Sequence, residues 1–301
     1  MKLYYFEDPR GNFGDDLNPW LWNRLLPGFF DDDGGRLLVG IGTLLNHRLP
    51  SGPKLHIFGS GFGYGRAPKI DGRFVFHAVR GFETARALGL DPALAITDPA
   101  VLVRTVTLPP PAAEATSIGF IPHCQSSRNF EWETVCRDIG LKYISAEWSV
   151  DKVIAEMRSC RTLVCEAMHG AIVADALRIP WVPVSCYDYI AHFKWKDWLS
   201  TVDLPYEPLR VTSLYDVERN SSTTTKLKNQ VKRGLLGLNA WSDNWTPPPP
   251  KSTGFLEYDK AVNELAAAAK SQTYLSTDIT IERHTDRYCD LLEHLKRKPW
   301  L

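Results

Sequence analysis

The segment formed by residues 161–184 restricts the fold of this chain more than any other stretch. Residues 162–165 are an apolar, β-favouring run, and residues 171–178 carry helical spacing after a turn predicted at Gly170. Pro180 ends that helix, and residues 181–184 form the next buried strand. A buried strand that passes through a helix into another buried strand predicts an α/β fold with a parallel sheet.

His169 lies where the first of these strands gives way to the helix. The carboxyl edge of a parallel sheet is the usual ligand-binding edge, and the unpaired N–H groups of a helix start favour an anion. A histidine at such a point can contact phosphate and titrates near neutrality. The alternative is a histidine that caps the helix or forms a hydrogen bond in the core, and position alone leaves both open.

Composition excludes several classes of protein. The chain has 301 residues, 44% of them hydrophobic and 23% charged, as in a soluble globular protein. Lys+Arg and Asp+Glu both number 35, so no global charge favours nucleic acid. We expect no signal peptide, no transmembrane helix and no metal or cofactor, because the required apolar runs and Cys/His spacings are absent from the sequence. Scattered cysteines without a disulfide pattern favour a reducing, cytosolic location.

The beginning of the chain also predicts a strand, a glycine-containing loop and a helix, at residues 2–6, 7–16 and 17–26. Asn12 and Gly14 would let the loop backbone approach a ligand. Asp15 and Asp16 stand at the helix start, where a carboxylate either serves a site or simply caps the helix.

The next stretch alternates apolar runs with glycine. Residues 36–45 and 54–65 each predict a strand that enters a glycine-rich turn, and the alternating glycines around Gly61 suit a loop against a ligand or a mobile lid.

A strand at 74–79 ends at Arg80, before a helix at 82–88. The Arg80 guanidinium could bind a carboxylate or a phosphate bidentately, or it could pair with a neighbouring aspartate. Residues 95–103 predict a further strand with a turn at Asp98.

Two proline-rich stretches divide the chain into its predicted domains. Residues 1–108 form an N-terminal domain, 109–117 a linker, 118–250 a C-terminal domain that ends near a second proline run, and 251–301 a helical segment. In the second domain, His123 and Ser126 follow a strand at 117–121, where loop polar groups serve a ligand or a turn.

Residues 226–241 predict a basic amphipathic helix. Leu227, Val231, Leu235 and Leu238 recur at helical spacing beside Lys226, Lys228, Lys232 and Arg233. Such a helix can lie on an anionic membrane, although a helix that packs on its own protein has the same apolar stripe.

Six motifs occur in an order that resembles the polysaccharide pyruvyltransferase family, and the similarity is closest to the ketal-forming enzymes of exopolysaccharide assembly of the xanthan type. They are NFGDDLNPWLW, GIGTLL, VRGFETA, TDPAVL, EAMHGAIVADALRIPWV and FKWKDW, and together they reach to about Asp203. The resemblance implies two Rossmann-like domains in an arrangement like that of GT-B glycosyltransferases, with the active site in the interdomain cleft. It implies phosphoenolpyruvate as the co-substrate and a sugar with two suitably spaced hydroxyls as the acceptor.

The resemblance also implies the roles of site residues. His169 matches the histidine of a donor-binding Arg-Leu-His triplet, but Ala167 stands where the family has arginine. Arg80 matches a donor-binding position, and Lys194 or Arg128 would supply the second cation. The chemistry further needs a base for the attacking hydroxyl. Asp16 is the first candidate for this role and Asp15 the second. The predicted catalytic residues are therefore His169, Arg80 and Asp16, and the predicted substrate-binding residues are Asn12, Gly14, Asp15, Gly61, His123, Ser126, Arg128, Gly170 and Lys194.

Two other functions remain open at this stage. One is a nucleotide-sugar-dependent glycosyltransferase of exopolysaccharide assembly on the same fold, with Glu166 as a candidate ribose ligand. The other is a non-catalytic glycan-binding assembly subunit, which would explain the absent arginine. The acceptor that the resemblance implies is carried on a lipid, so we expect a cytoplasmic protein that meets the inner face of the membrane through residues 226–241.

Overall fold

Two parallel sheets form the framework of the chain in the computed structural model, which describes residues 1–216, 218, 221–238 and 248–297. The N-terminal sheet has the strand order β1-β2-β3-β4 and is parallel throughout. Its strands are β1 (Lys2–Tyr4), β2 (Arg36–Val39), β3 (Lys54–Phe58) and β4 (Phe74–Ala78). The helix α1 (Phe13–Leu25) follows β1, and α2 (Phe82–Leu88) follows β4.

The C-terminal sheet has the order β6-β5-β7-β8-β9, again with parallel neighbours. Its strands are β5 (Ser117–Ile121), β6 (Lys142–Tyr143), β7 (Cys160–Cys165), β8 (Trp181–Ser185) and β9 (Leu209–Arg210). The helices that follow in this half are α3 (Cys124–Asn129), α4 (Trp132–Asp138), α5 (Val150–Met157), α6 (Met168–Ala176) and α7 (His192–Leu199). The chain continues with α8 (Thr223–Gly237), α9 (Phe255–Ala268) and α10 (Asp278–Lys296). The predicted α/β class is therefore confirmed.

Three local predictions were wrong. Residues Pro99–Thr105 form a 3-10 helix instead of a strand, because proline cannot donate to a sheet and the Asp98 side chain accepts from the backbone N–H of Ala100. Gly170 lies inside α6 and makes no turn. A Cβ on Gly170 would stand 3.2 Å from the side chain of Ile121, so the glycine lets α6 pack closely on β5. Finally, α1 begins at Phe13 and is capped by the Asn12 side chain, not by either aspartate.

One apolar cluster joins the two halves. It includes residues of α1, α6, α10 and the 3-10 helix. The Tyr288 ring of α10 packs against Phe58 of β3 with centroids 5.6 Å apart, and its hydroxyl donates to the carbonyl of Thr97 at 2.6 Å. The last described helix thus returns to the N-terminal half and holds it against the rest of the chain. Across the described ranges, no helix is both long enough and apolar enough to span a bilayer.

Candidate active site

A cavity of about 500 Å³ lies at the carboxyl ends of strands from both sheets. Loops after β1, β2 and β3 form one part of its wall, and loops after β5, β7 and β8 form the rest. This is the edge at which parallel sheets bind ligands, because helix starts and irregular loops expose polar groups there. The residues that contribute to the wall include Asn12, Asp15, Thr43, Arg48, Tyr64, His123, Met168 and Lys194.

Asp15 brings a carboxylate to this cavity from the first turn of α1. The Asn12 side-chain amide donates to it at 2.5 Å. Burial raises the pKa of Asp15 from 3.8 to about 6, against the opposing charges of His169 and Lys194. Asp16 does not line the cavity, and its carboxylate accepts from the backbone N–H of Asn12 at 3.0 Å. Of the two aspartates, Asp15 is therefore the one that reaches the cavity, while the Asp16 carboxylate binds the backbone of the capping residue Asn12.

His169 lies in the first turn of α6, directly after Met168, and unlike Met168 it is not among the residues that line the cavity. Its side chain is 15% exposed, and its Nε2 atom is 3.5 Å from Oδ2 of the fully buried Asp98. Neither atom has a hydrogen-bond partner within the described part of the chain. A Cβ on Gly14 would stand only 2.1 Å from Nδ1 of His169. Gly14 thus admits the imidazole and not a ligand, which differs from the role predicted for it.

Lys194 is the better placed of the two candidates for a second cation. It lines the cavity with only 8% exposure, and its Nζ donates to the Tyr64 hydroxyl at 3.1 Å. Arg128 instead bonds to Asp8 at 2.7 Å and Glu147 at 2.5 Å, and it lines a separate cavity of about 250 Å³. Arg48, which the sequence did not single out, brings a guanidinium to the main cavity.

Arg80 is fully buried beside the cavity and does not line it. Its Nε donates to Asp197 at 2.8 Å, which is the arginine–aspartate pairing that the sequence left open. Its other nitrogens donate to the Thr43 hydroxyl at 2.7 Å and to the carbonyl of Phe62 at 2.9 Å. Arg80 therefore connects a wall residue, Thr43, to the helix that carries Lys194.

Gly61 and Gly170 have packing roles in this structure. A Cβ on Gly61 would meet the Arg80 guanidinium at 2.2 Å, so the glycine-rich loop makes room for that side chain. Gly170 serves the contact of α6 with β5 described above. Neither lines the cavity, so the structure does not bring these two predicted substrate-binding residues to it.

His123 lines the cavity as a neutral imidazole. Burial, with Lys194 and Arg128 nearby, lowers its pKa to about 3, and its Nδ1 accepts from the backbone N–H of Gln125. Ser126 is buried behind it, at 2.9 Å from the Tyr189 hydroxyl.

Glu166 is buried and unsuited to bind a ribose. Its two oxygens accept from the backbone N–H groups of His123 at 3.0 Å and Cys186 at 2.9 Å. Burial raises the pKa of this carboxyl. The role suggested for Glu166 in a nucleotide-sugar site therefore has no support in the geometry.

Besides Arg48, sequence reasoning missed Thr43, Tyr64 and Asp98 in this region. Thr43 lies in the GIGTLL motif and Asp98 lies in the TDPAVL motif. The motifs therefore indicated the segments that contain these two residues, but not the residues themselves. Only the fold shows that Asp98 meets His169, since they are far apart in the chain.

Within the described ranges, no cluster of three or more His, Cys, Asp or Glu side chains could hold a metal ion.

Comparison with known proteins adds a family to this geometry. A family model described as polysaccharide pyruvyl transferase matches residues 25–189. The succinoglycan biosynthesis protein ExoV of Rhizobium meliloti (strain 1021) is 42% identical over 214 residues, which cover 70% of this chain and 68% of that relative. No solved structure matches this chain.

Proposed function

Because the chain belongs to the polysaccharide pyruvyl transferase family, we propose that it moves pyruvate from phosphoenolpyruvate onto two hydroxyls of one sugar and releases phosphate. The acceptor would be the terminal sugar of a lipid-linked exopolysaccharide repeat unit. The observation that best supports this proposal is the cavity in which a carboxylate with a pKa of about 6, Asp15, lies near the cation Lys194.

The two sheets would act as two Rossmann-like domains in a GT-B-like arrangement, with the cavity as the interdomain cleft. The domains would be residues 1–108 and 118–250, joined by the linker 109–117, with 251–301 as a C-terminal helical segment. The lining of the cavity by loops from both sheets supports this division. The shared apolar cluster and α10 would hold the two domains together.

Lys194 and Arg48 would hold the anionic donor. Both basic side chains line the cavity, and the N-terminal end of α6 adds a partial positive charge. Neutral His123 would donate or accept a hydrogen bond without adding charge. Arg80 would contribute by fixing Thr43 and α7, or by turning its guanidinium from Asp197 to the donor when substrate enters.

Pyruvyl transfer needs one proton delivered and two removed. Protonation of C3 of the enol makes C2 electrophilic, and the first sugar oxygen adds there as its hydroxyl proton leaves. The C2–O bond to phosphate then breaks, the second sugar oxygen closes the ketal, and its proton leaves with phosphate. Asp15 would take the proton of an attacking hydroxyl, since its raised pKa brings it close to the working pH. His169, held beside Asp98, would contact the donor and deliver the proton to C3.

A lipid-linked acceptor requires the enzyme to work at a membrane surface, and α8 would provide the contact. Leu227, Val231 and Leu238 are 63%, 58% and 79% exposed, so this stripe is not part of the core. The helix contains four basic and no acidic side chains. Residues 239–241 of the predicted surface lie outside the described residues. We propose a cytoplasmic protein that binds the inner face of the membrane peripherally.

Incubation with phosphoenolpyruvate and a lipid-linked oligosaccharide ending in mannose, glucose or galactose would test the reaction. We expect phosphate release that depends on the acceptor, together with a mass increase of the glycan that matches one pyruvate ketal. Transfer from a nucleotide sugar but not from phosphoenolpyruvate would identify a glycosyltransferase instead. Glycan binding without either transfer would identify a non-catalytic subunit.

A further inference from the structure

Two aromatic side chains at the cavity are largely exposed to solvent. Phe6 is 55% exposed and follows β1, and Tyr64 is 45% exposed and lies in the glycine-rich loop after β3. Both line the main cavity. Exposed aromatic rings lose the free energy that burial would give them, so two at the same cavity indicate a surface that a ligand covers.

The groups beside Phe6 differ from those deeper in the site. Glu7 and Asp8 follow it directly and also line the cavity, as do the amides of Asn12 and Asn46. An aromatic face next to carboxylate and amide groups suits a neutral sugar ring, which has apolar C–H faces and a rim of hydroxyls. Of the two carboxylates, that of Asp8 is paired with Arg128 at 2.7 Å, so Glu7 is the one that would disfavour an anionic donor beside Phe6.

Tyr64 connects this aromatic surface to the cation of the site. Its hydroxyl accepts from Lys194 Nζ at 3.1 Å, and that nitrogen is 5.7 Å from the centroid of the Tyr64 ring. The hydroxyl therefore takes part in positioning Lys194, while much of the ring remains exposed. Tyr64 therefore contacts the cation and also presents an exposed ring at the cavity.

We propose that Phe6 and Tyr64 form the acceptor platform, on which the terminal sugar packs while the donor lies deeper against Lys194. This inference rests on the proposed function, because it assigns the acceptor of that reaction to a part of the same cavity. Phe6 serves the acceptor alone. Tyr64 serves both substrates, the acceptor through its ring and the donor through its hydroxyl.

Steady-state kinetics with each substrate varied in turn would separate these roles. Phe6→Ala should raise KM for the acceptor roughly two- to tenfold, as expected for a lost aromatic contact, and leave KM for phosphoenolpyruvate unchanged. Phe6→Trp should restore acceptor KM. Tyr64→Phe should raise KM for phosphoenolpyruvate only, and Tyr64→Ala should raise both constants.

Phe255→Ala is the matched control, because Phe255 is 77% exposed on α9 and does not line the cavity. Equal acceptor KM values for Phe6→Ala and Phe255→Ala would overturn the platform. A Phe6→Ala protein whose acceptor KM is unchanged but whose oligomeric mass differs from that of wild type would overturn it as well.

A binding measurement separates a failure of the platform from a failure of the proposed function. Titration of the protein with methyl glycosides of mannose, glucose and galactose, followed by tryptophan fluorescence, needs no donor. Weaker binding by Phe6→Ala than by Phe255→Ala would support the platform even if wild type released no phosphate from phosphoenolpyruvate. Equal binding by the two variants would overturn it.

Discussion

Asp15 changes its charge in the pH range in which the protein would be assayed. Burial raises its pKa to about 6, and the carboxylate nevertheless stays within reach of the cavity. A group with such a pKa accepts a proton near neutrality far better than an exposed aspartate does. This residue therefore connects the electrostatics of the site with the rate of the proposed reaction.

We predict that Asp15→Asn lowers turnover by roughly 10²-fold or more, because the amide cannot accept the hydroxyl proton. Wild-type activity should fall as the pH drops below about 6, as Asp15 becomes protonated. Initial rates between pH 5 and 8 would measure both effects. A wild-type profile without an acid limb in this range would contradict the assignment of Asp15 as the base.

The same substitution should stabilise the fold at alkaline pH. The folded pKa of Asp15 lies above its unfolded value, so wild type loses stability as the pH rises from about 4 through about 6 and the buried group ionises. Asparagine does not ionise, so Asp15→Asn should gain ~1–3 kcal/mol over wild type at pH 8 and little at pH 4. Urea unfolding at the two pH values would show the difference. An equal difference at both would mean that ionisation is not its cause.

We predict that Gly14→Ala reduces activity strongly, because the new methyl group would displace the His169 imidazole, whose Nδ1 lies 2.1 Å from that position. A shift of about 1 Å at a reacting group can cost ~10²-fold in rate. Gly52→Ala is the control, since nothing lies within 4 Å of its added Cβ. Rates and thermal melts of both variants should show that only Gly14→Ala affects catalysis.

At this scale, the sequence predicted the positions of site residues better than their partners. Asn12, Asp15, His123 and Lys194 line the cavity, as a helix start or a strand end allows one to expect. Sequence gives no long-range contact, so it could not show that Arg80 meets Asp197. Nor could it show that Gly61 leaves the space that the Arg80 side chain occupies.

Among the helices, α8 is unusual because its apolar stripe faces solvent. Leu227, Val231 and Leu238 lie on one face, and Lys226 and Lys228 stand about 100° to either side of Leu227. Flanking lysines can extend their ammonium groups to lipid headgroups while the stripe enters the membrane interface. Arg233 pairs with Glu218 at 2.6 Å.

We predict that the double substitution Leu227→Ser and Val231→Ser weakens binding to liposomes that contain anionic lipid and leaves activity on a soluble acceptor unchanged. Removal of two apolar side chains from the interface should lower the partition coefficient about tenfold or more. Co-sedimentation at low salt would measure it, and high salt should release the wild-type protein.

The control pair is Phe255→Ser with Leu256→Ser. These side chains are 77% and 80% exposed on α9, which carries acidic residues instead of a basic surface. Equal loss of liposome binding in the two double variants would show that exposed apolar area alone, and not α8, governs binding. Wild type that ignores anionic liposomes at low salt would contradict membrane contact altogether.

Element types were predictable where periodicity was strong. The bounds of α2 agree with the prediction, and every predicted strand up to β4 exists in a shortened form. The error at 95–103 has a physical cause: an apolar run suits a strand or a buried turn equally well, and the Asp98–Pro99 pair decides for the turn. The exposure of the apolar stripe of α8 could not be predicted, because an amphipathic pattern does not show whether the protein itself or another surface covers the apolar face.

At the scale of the whole molecule, α10 joins elements that are distant in the chain. Besides the Tyr288 hydroxyl on Thr97, Arg287 donates to the carbonyl of Ala93 at 2.8 Å. Meanwhile α9 packs in a second apolar cluster with residues of the C-terminal sheet. Of the two last described helices, α9 therefore packs on the C-terminal sheet, whereas α10 contacts both halves, and only the tertiary structure could show this difference.

We predict that Tyr288→Phe lowers the free energy of unfolding of the whole chain by ~1–2 kcal/mol, because the buried carbonyl of Thr97 loses its donor. Tyr258→Phe is the control, since its bond to Asp138 is exposed and should contribute little. Urea unfolding followed by circular dichroism and by tryptophan fluorescence should give coincident transitions. Separate transitions would show that the halves unfold independently in spite of α10.

The return of α10 to the N-terminal half also determines when that half can be completed during synthesis. The 3-10 helix ends at Thr105, and α10 begins at Asp278. A ribosome adding roughly 5–20 residues per second needs on the order of 10–35 s to cross that interval. During this time Phe58 and its neighbours lack the helix that packs on them, so we expect the nascent chain to expose an apolar surface of the kind that chaperones bind.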